Sequence, residues 1–354
     1  MTDIYDPFEA AGPEAPVEAP IETRPKKRKA SPADDGARRR LRPPSPWGEH
    51  DSLTAELRAF ADYVAVSSEE RRARQDLRRR VAAAARALWP QSSVDAFGSS
   101  STALDWFESD VDLRVSVNKP MTYLSPARAC IDLAQELFDN HVWATDLDSR
   151  PHARIPVVAL IDSRTGVAVD VSFDDGEALS SARAACPAGL AEVHRDVSLF
   201  LKAFLKHRDL DKPFTGGLGS FRLCVLVAWH LDRNESQASA GDALVAFLAY
   251  AQHHDFARQL PAGGKHVSFH GLDVPGLVDA FRSAHAALKN RAPLAHCLDV
   301  RKLEEKREAK VVLARSFCSR QRTAAIPPPA SYAPTPRAND SDDDVEKEES
   351  LAME

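Results

Sequence analysis

The sequence predicts an α/β unit joined to an all-helical one, and three observations predict it. Between residues 94 and 173, apolar residues alternate along short runs on either side of one helix-period stretch, the pattern of a sheet with a covering helix. From 187 to 316 the apolar spacing becomes that of helices. Before 48 and after 316 the chain has almost no apolar period and is rich in proline and charge. The expected organisation is a basic tail over 1–47, a helical segment over 48–75, a mixed-sheet domain over 76–186, a helical domain over 187–316 and a Pro-rich, then acidic, tail over 317–354.

Each element has a local reason. "SLTAELRAFADYV", from Ser52, places apolar residues at helical spacing. Ser67-Ser68-Glu69-Glu70 resembles a capping box, with Ser67 as N-cap and Glu70 reaching back. The helix it opens carries Leu77, Val81, Ala84 and Leu88 on one face and stops at Trp89-Pro90. Its opposite face is dense with arginine, which suits either a solvated surface or contact with RNA. Residues 126–140 read as a helix, and 154–173 as a hairpin turning at Ser163-Arg164-Thr165-Gly166. Five further helical stretches follow, the last being "LDVRKLEEKREAKVVLARSF".

Composition narrows the classes. The net charge of −6 hides an asymmetry, because basic residues crowd into 24–42 and 70–80 while an acidic run closes the chain. Lys/Arg blocks at 26–29 and 38–42 have the layout of a bipartite nuclear import signal, and a basic tail of this kind can also touch RNA nonspecifically. Five cysteines with no C-x-x-C pair argue against a disulfide framework and for reduced thiols in a cytosolic or nuclear setting. The N-terminus lacks the layout of a signal peptide, and no stretch is apolar for long enough to cross a bilayer, so no membrane partner is expected. There is no Walker A loop, no H-E-x-x-H and no G-x-S-x-G, and the histidines at 253–254 and 266–270 fit no common zinc spacing.

The chemistry concentrates in "FGSSSTALDWFESDVDL", residues 97–113. Residues two apart on a strand share a face, so Asp110 and Asp112 point one way while Val111, Leu113 and Val115 point into the core. Two such carboxylates repel each other unless neutralised, and a divalent cation such as Mg²⁺ (or Mn²⁺) does this with help from phosphate oxygens. Asp170 is a third acid set in an otherwise apolar strand, "VAVDV". Three aspartates on adjacent strands can hold two metal ions, which activate an attacking hydroxyl and stabilise a leaving pyrophosphate. Gly98 would let the backbone approach phosphates closely, and Ser99 would offer them a hydroxyl and an amide.

Gly-Ser followed by Asp-x-Asp, with a later third Asp, resembles the DNA polymerase beta superfamily of nucleotidyltransferases. "LWPQSSVDAFGSSSTALDWFESDVDL", "ARIPVVALIDSRTGVAVDVSF" and "LKAFLKHRDLDKPFTGGLGSFRLCVLVAWHL" extend the likeness to the template-independent poly(A) polymerases once called DNA polymerase sigma, the catalytic subunits of TRAMP complexes. That resemblance, over roughly 50–290, implies a nucleotidyltransferase palm with a mixed sheet and a helical central (poly(A) polymerase-associated) domain that takes in the segment at 48–75. It implies ATP as substrate and RNA 3′ ends as acceptor, a nuclear location, and a zinc-knuckle RNA-binding protein and an RNA helicase as partners. It makes Asp110, Asp112 and Asp170 the metal and catalytic acids, and Gly98 and Ser99 the phosphate-holding pair. Lys202, Lys206 and Ser220 match triphosphate contacts. Phe221 matches the ring on which the base stacks, a position usually held by tyrosine; Arg154 matches a family position before the hairpin.

One region departs from the pattern. The family's base-reading loop has no clear counterpart in "GGKHVSFHGLDVPGLVDAF", where His270 and Asp273 are the nearest polar candidates. A terminal uridylyltransferase, or a tailing enzyme of relaxed specificity, is therefore the alternative substrate reading. A non-catalytic scaffold is the other rival, against which the three intact acids argue.

Overall fold

The structure is a computed structural model, and it describes residues 46–325 apart from 49, 100–103, 118–124, 154, 174–189, 235–238 and 263–264. Arg154, the import signal and the acidic tail thus lie outside the described residues.

The first two helices divide between the two cores. Helix α1 (Leu53–Val64) is capped by the Ser52 hydroxyl, which accepts from the Ala55 amide. It buries Leu57, Phe60, Ala61 and Val64 in the helical core, well ahead of that core's other helices in sequence. Helix α2 (Ser68–Leu88) forms the full capping box between Ser67 and Glu70 and ends at Trp89. Its Leu77, Val81, Ala84 and Ala85 belong to the sheet core instead. The chain therefore passes from one core to the other between Val64 and Leu77.

The sheet unit contains β1 (Ser93–Ala96), β2 (Val111–Ser116), α3 (Pro126–Asn140), β3 (Ala144–Arg150), β4 (Val157–Asp162) and β5 (Val167–Ser172). The strand order is β1-β2-β5-β4-β3. Only β2 and β5 run parallel, and the remaining pairs are antiparallel, so the sheet is mixed. Val111, Leu113, Val115, Val169 and Val171 are buried under α2 and α3, which orients the intervening residues to the opposite face. The hairpin turn forms where the sequence places it, with the Gly166 amide donating to the Asp162 carbonyl at 2.7 Å.

The helical unit contains α4 (Ala191–Lys206), α5 (Ser220–Asp232), α6 (Ala240–Ala251), a ribbon of β6 (Leu260–Ala262) and β7 (Lys265–Val267), and α7 (Val274–Lys289). Phe60 of α1 meets Phe200 of α4 edge-on at 5.7 Å, and Phe204 stacks on Phe281 of α7.

Helix α8 (Val300–Ala325) runs beyond the expected end at 316 and returns to the sheet unit. Its Phe317 and Cys318 pack on Ala73 of α2. Its Arg307 grips the Glu70 carboxylate at 2.6 and 2.7 Å and donates to the Ala65 carbonyl. Lys310 donates to the Gly166 carbonyl at the hairpin turn.

Candidate active site

The register of the parallel pair sets Asp112 directly opposite Asp170. Asp110 lies just before β2, exposed, and Asp112 and Asp170 are half-buried. Burial first, then repulsion from Asp170 and Asp110, pushes the Asp112 carboxyl up to about 7, and Lys202 and Arg74 offset only part of this. Asp170 is raised as well, by burial and by Asp110. This electrostatic frustration marks the acids as a site with a task to perform.

Gly98 closes the back of the site. It has φ +61°, and a Cβ there would collide with the Asp112 carboxylate, so glycine is required both for conformation and for space. The preceding Phe97 amide donates to the Asp112 carbonyl at 3.1 Å and ties this turn to β2. Ser99 follows directly.

The segment that delivers Asp110 is fastened to both units. The Phe107 amide donates to the Val64 carbonyl, and Trp106 bridges to Ala65. Trp106 and Phe107 sit in the helical core. Arg74 donates to the carbonyls of Trp106 and Ser109 at 3.1 and 2.8 Å. Lys202 belongs to this brace. It is 6% exposed, and its ammonium donates to the Leu104 carbonyl at 2.7 Å. Burial lowers its pKa, against the pull of Asp105 and Asp112. Lys206, one turn on, lines the cleft beside Asp110. Lys202 thus acts on the site from within the protein, while Lys206 faces the cleft.

The other expected residues lie along a neighbouring turn. Gly216, Gly217 and Gly219 shape the stretch before α5, and Ser220 opens that helix, exposed. Phe221 is half-buried and packs on the helical core. Asp273 is a helix cap: its carboxylate accepts from the Gly276 amide at 3.1 Å, and its own amide donates to the Gly216 carbonyl. It therefore holds the 216 turn in place. His270 is exposed.

The arginine face of α2 has a structural use that sequence spacing could not show. Arg80 forms a fork on Asp162 at 2.9 and 2.8 Å and lies over Trp143. Arg78 holds the Val94 carbonyl of β1 at 2.7 Å. Arg71, Arg72, Arg79 and Arg86 are the arginines of α2 left exposed. Sequence reasoning also missed Arg74 and Lys310, because their partners lie far away along the chain.

Among the described residues, no three His, Cys, Asp or Glu side chains converge into a ready-made metal cage. The donor set still fits a hard divalent cation, which takes one or two carboxylates and completes its shell with water and substrate phosphates. Asp112 and Asp170 are paired in register and carry mutual repulsion that a cation would relieve, and the Asp112 carboxylate occupies the space that a side chain at 98 would take.

Comparison with known proteins agrees with this geometry. Residues 53–183 match the family model for the central palm domain of poly(A) RNA polymerase, mitochondrial-like. Poly(A) RNA polymerase protein 2 of Saccharomyces cerevisiae is 30% identical over 182 residues, which is 50% of this chain and 30% of that protein. Poly(A) RNA polymerase CID14 of Cryptococcus neoformans is 27% identical over 187 residues, 51% of this chain and 24% of that one. The chain thus spans less than a third of the length of these curated relatives. Among solved structures, the polymerase core of TRAMP, an RNA surveillance complex, superposes with a TM-score of 0.58 at 22% identity, covering 75% of this chain and 93% of that one. The mitochondrial enzyme mtPAP in complex with ATPγS gives 0.61 at 16% identity, covering 79% and 78%. These superpositions establish a nucleotidyltransferase-like fold, within which residues 53–183 match the poly(A) RNA polymerase palm-domain model.

Proposed function

We propose that this protein transfers AMP from ATP to the 3′ end of RNA without a template. The observation that carries the reading is the placement of Asp112 opposite Asp170, with Asp110 at the strand entrance and Gly98 behind. Asp110, Asp112 and Asp170 would hold the divalent cations, Mg²⁺ or Mn²⁺. Bound there, such cations supply neutralisation of the triphosphate and acidification of the attacking hydroxyl. The RNA 3′ oxygen would attack the α-phosphorus, pyrophosphate would leave, and an Asp170 oxygen would accept the hydroxyl proton. Gly98, Ser99, Lys206 and Ser220 would receive the triphosphate, while Lys202 holds the loop that delivers Asp110. Phe221 would present a π face to the adenine.

The wider setting belongs to the same proposal. The basic blocks at 26–29 and 38–42 support a nuclear location. Likeness to the TRAMP polymerase core supports a role in RNA surveillance, and the family resemblance of the sequence implies a zinc-knuckle RNA-binding protein and an RNA helicase beside it.

The test is primer extension. Purified protein is incubated with an oligoadenylate primer and each NTP separately, with Mg²⁺ or Mn²⁺, beside an Asp110→Ala/Asp112→Ala variant. Extension with ATP that vanishes in the variant is expected. Extension with UTP, or with all four nucleotides, would keep the chemistry and replace the substrate. Failure to extend any primer, with and without candidate partners, would leave a scaffold.

A further inference from the structure

The cleft beside Asp110 holds, next to Lys206, two cations that the transfer reading does not use, Arg74 and Lys310. Arg74, on α2, lines it and is 8% exposed. One of its terminal nitrogens holds the Trp106 and Ser109 carbonyls, but Nε and Nη1 have no hydrogen-bond partner. Two donors of a buried guanidinium left unpaired are costly unless a ligand meets them. Lys206 of α4 and Lys310 of α8 line the same cleft. An ammonium carries three donors, and Lys310 commits one to the Gly166 carbonyl.

A resident anion occupies this arrangement. Glu108, with a side chain 10% exposed, pairs with Lys306 at 2.6 Å and with Lys206 at 3.9 Å. Its Oε2 accepts no hydrogen bond. Asp105 and Glu70 also act on Arg74, and Glu70 is itself held by Arg307. Among the groups that line the cleft, Arg74, Lys206 and Lys310 face Glu108 and Asp110, and Lys306 pairs with Glu108.

We propose that Arg74, Lys206 and Lys310 form a phosphate-binding subsite flanking Asp110, with Glu108 as the internal counter-ion that a bound phosphate replaces. The proposal deepens the transfer reading and depends on it for the identity of the ligand. A guanidinium with two free donors and two ammonium groups suit phosphate oxygens. The RNA backbone and the nucleotide triphosphate share that chemistry. In either case α8, from outside the stretch matched to the palm family, becomes part of the working cleft.

The test measures binding with the full chain and with no metal added, so that turnover plays no part. The probes are a labelled oligoadenylate ending in 3′-deoxyadenosine, followed by fluorescence anisotropy, and inorganic tripolyphosphate, followed by calorimetry. Lys310→Ala is expected to weaken binding about 5–10-fold, the scale of one charged contact. For the oligonucleotide it should also make the salt dependence shallower by roughly one phosphate contact. Glu108→Gln is expected to tighten binding several-fold, a gain that misfolding could not produce. Loss confined to the oligonucleotide assigns the subsite to the acceptor strand, and loss confined to tripolyphosphate assigns it to the nucleotide; both support the proposal. Unchanged affinity for both probes in Lys310→Ala, no gain in Glu108→Gln, or no binding of either probe by the unaltered protein would overturn it. Loss of extension activity with these binding effects intact would overturn the transfer reading alone.

Discussion

Two aspartates of one sheet make opposite use of burial. Asp162, at the end of β4, is 0% exposed. Burial alone would raise its pKa, but Arg80, Thr165 and the Arg164 amide hold it below the usual carboxylate range. The Thr165 hydroxyl donates at 2.6 Å, and both oxygens meet the Arg80 fork. Asp112, on β2, rises to about 7 because burial pushes it up and its acid neighbours, Asp170 and Asp110, push the same way. Burial raises both carboxyls; the surrounding groups decide whether that push is answered or reinforced. A carboxylate with every lone pair answered is structure, and one surrounded by others of its kind carries a repulsion that a cation would relieve.

The sharpest way to break the comparison is to remove each acid in turn. Asp110→Ala/Asp112→Ala should lower primer extension by on the order of 10³-fold or more while leaving the far-ultraviolet circular dichroism intact. Asp162→Ala should do the reverse. It leaves the Arg80 fork over Trp143 without its main partner, held by Asp76 alone, so chemical denaturation should report a loss of roughly 2–4 kcal/mol, with activity retained by the folded fraction.

Asp112→Asn sharpens the contrast through pH. The folded Asp112 binds a proton more tightly than the unfolded one, so its contribution to stability falls as pH rises from the ordinary value of 3.8 towards about 7. Without metal, the Asn variant should be more stable than the unaltered protein by roughly 1–3 kcal/mol at pH 8, and the difference should shrink towards pH 4. Thermal unfolding across that range checks it. Added Mg²⁺ should stabilise the unaltered protein and not the variant. The smallest effect should come from Phe221→Ala, which removes a stacking face of about 1 kcal/mol and should raise KM for ATP several-fold in steady-state kinetics. Phe221→Tyr should change it little.

One half of this contrast was legible in the sequence: Asp110, Asp112 and Asp170 follow from strand parity, whereas nothing local marks Asp162, whose partner Arg80 lies 82 residues away. The capping box at Ser67 and the turn at Ser163–Gly166 were equally local. Strand β3 was not legible: "ATDLDSR" is polar and mostly exposed, and backbone pairing to β4 holds it at the sheet edge. The arginine face of α2 gave a choice between solvent and RNA, whereas Arg74, Arg78 and Arg80 take partners on distant segments that spacing cannot reveal. Lys202 and Lys206 share a face, as helical spacing requires, but the loop at Leu104 covers one and leaves the other at the cleft.

The division of α1 and α2 between two cores has a consequence for synthesis. Phe60 emerges from the ribosome early, but the ring it packs against, Phe200, belongs to a helix made only after the whole sheet unit. At 5–20 residues per second, that wait is on the order of ten seconds. Throughout it the newborn chain carries an apolar helix with no lasting place to put it, while the sheet can begin to fold with α2 already in hand. The first helix is thus the segment with most need of shielding, before the cleft exists.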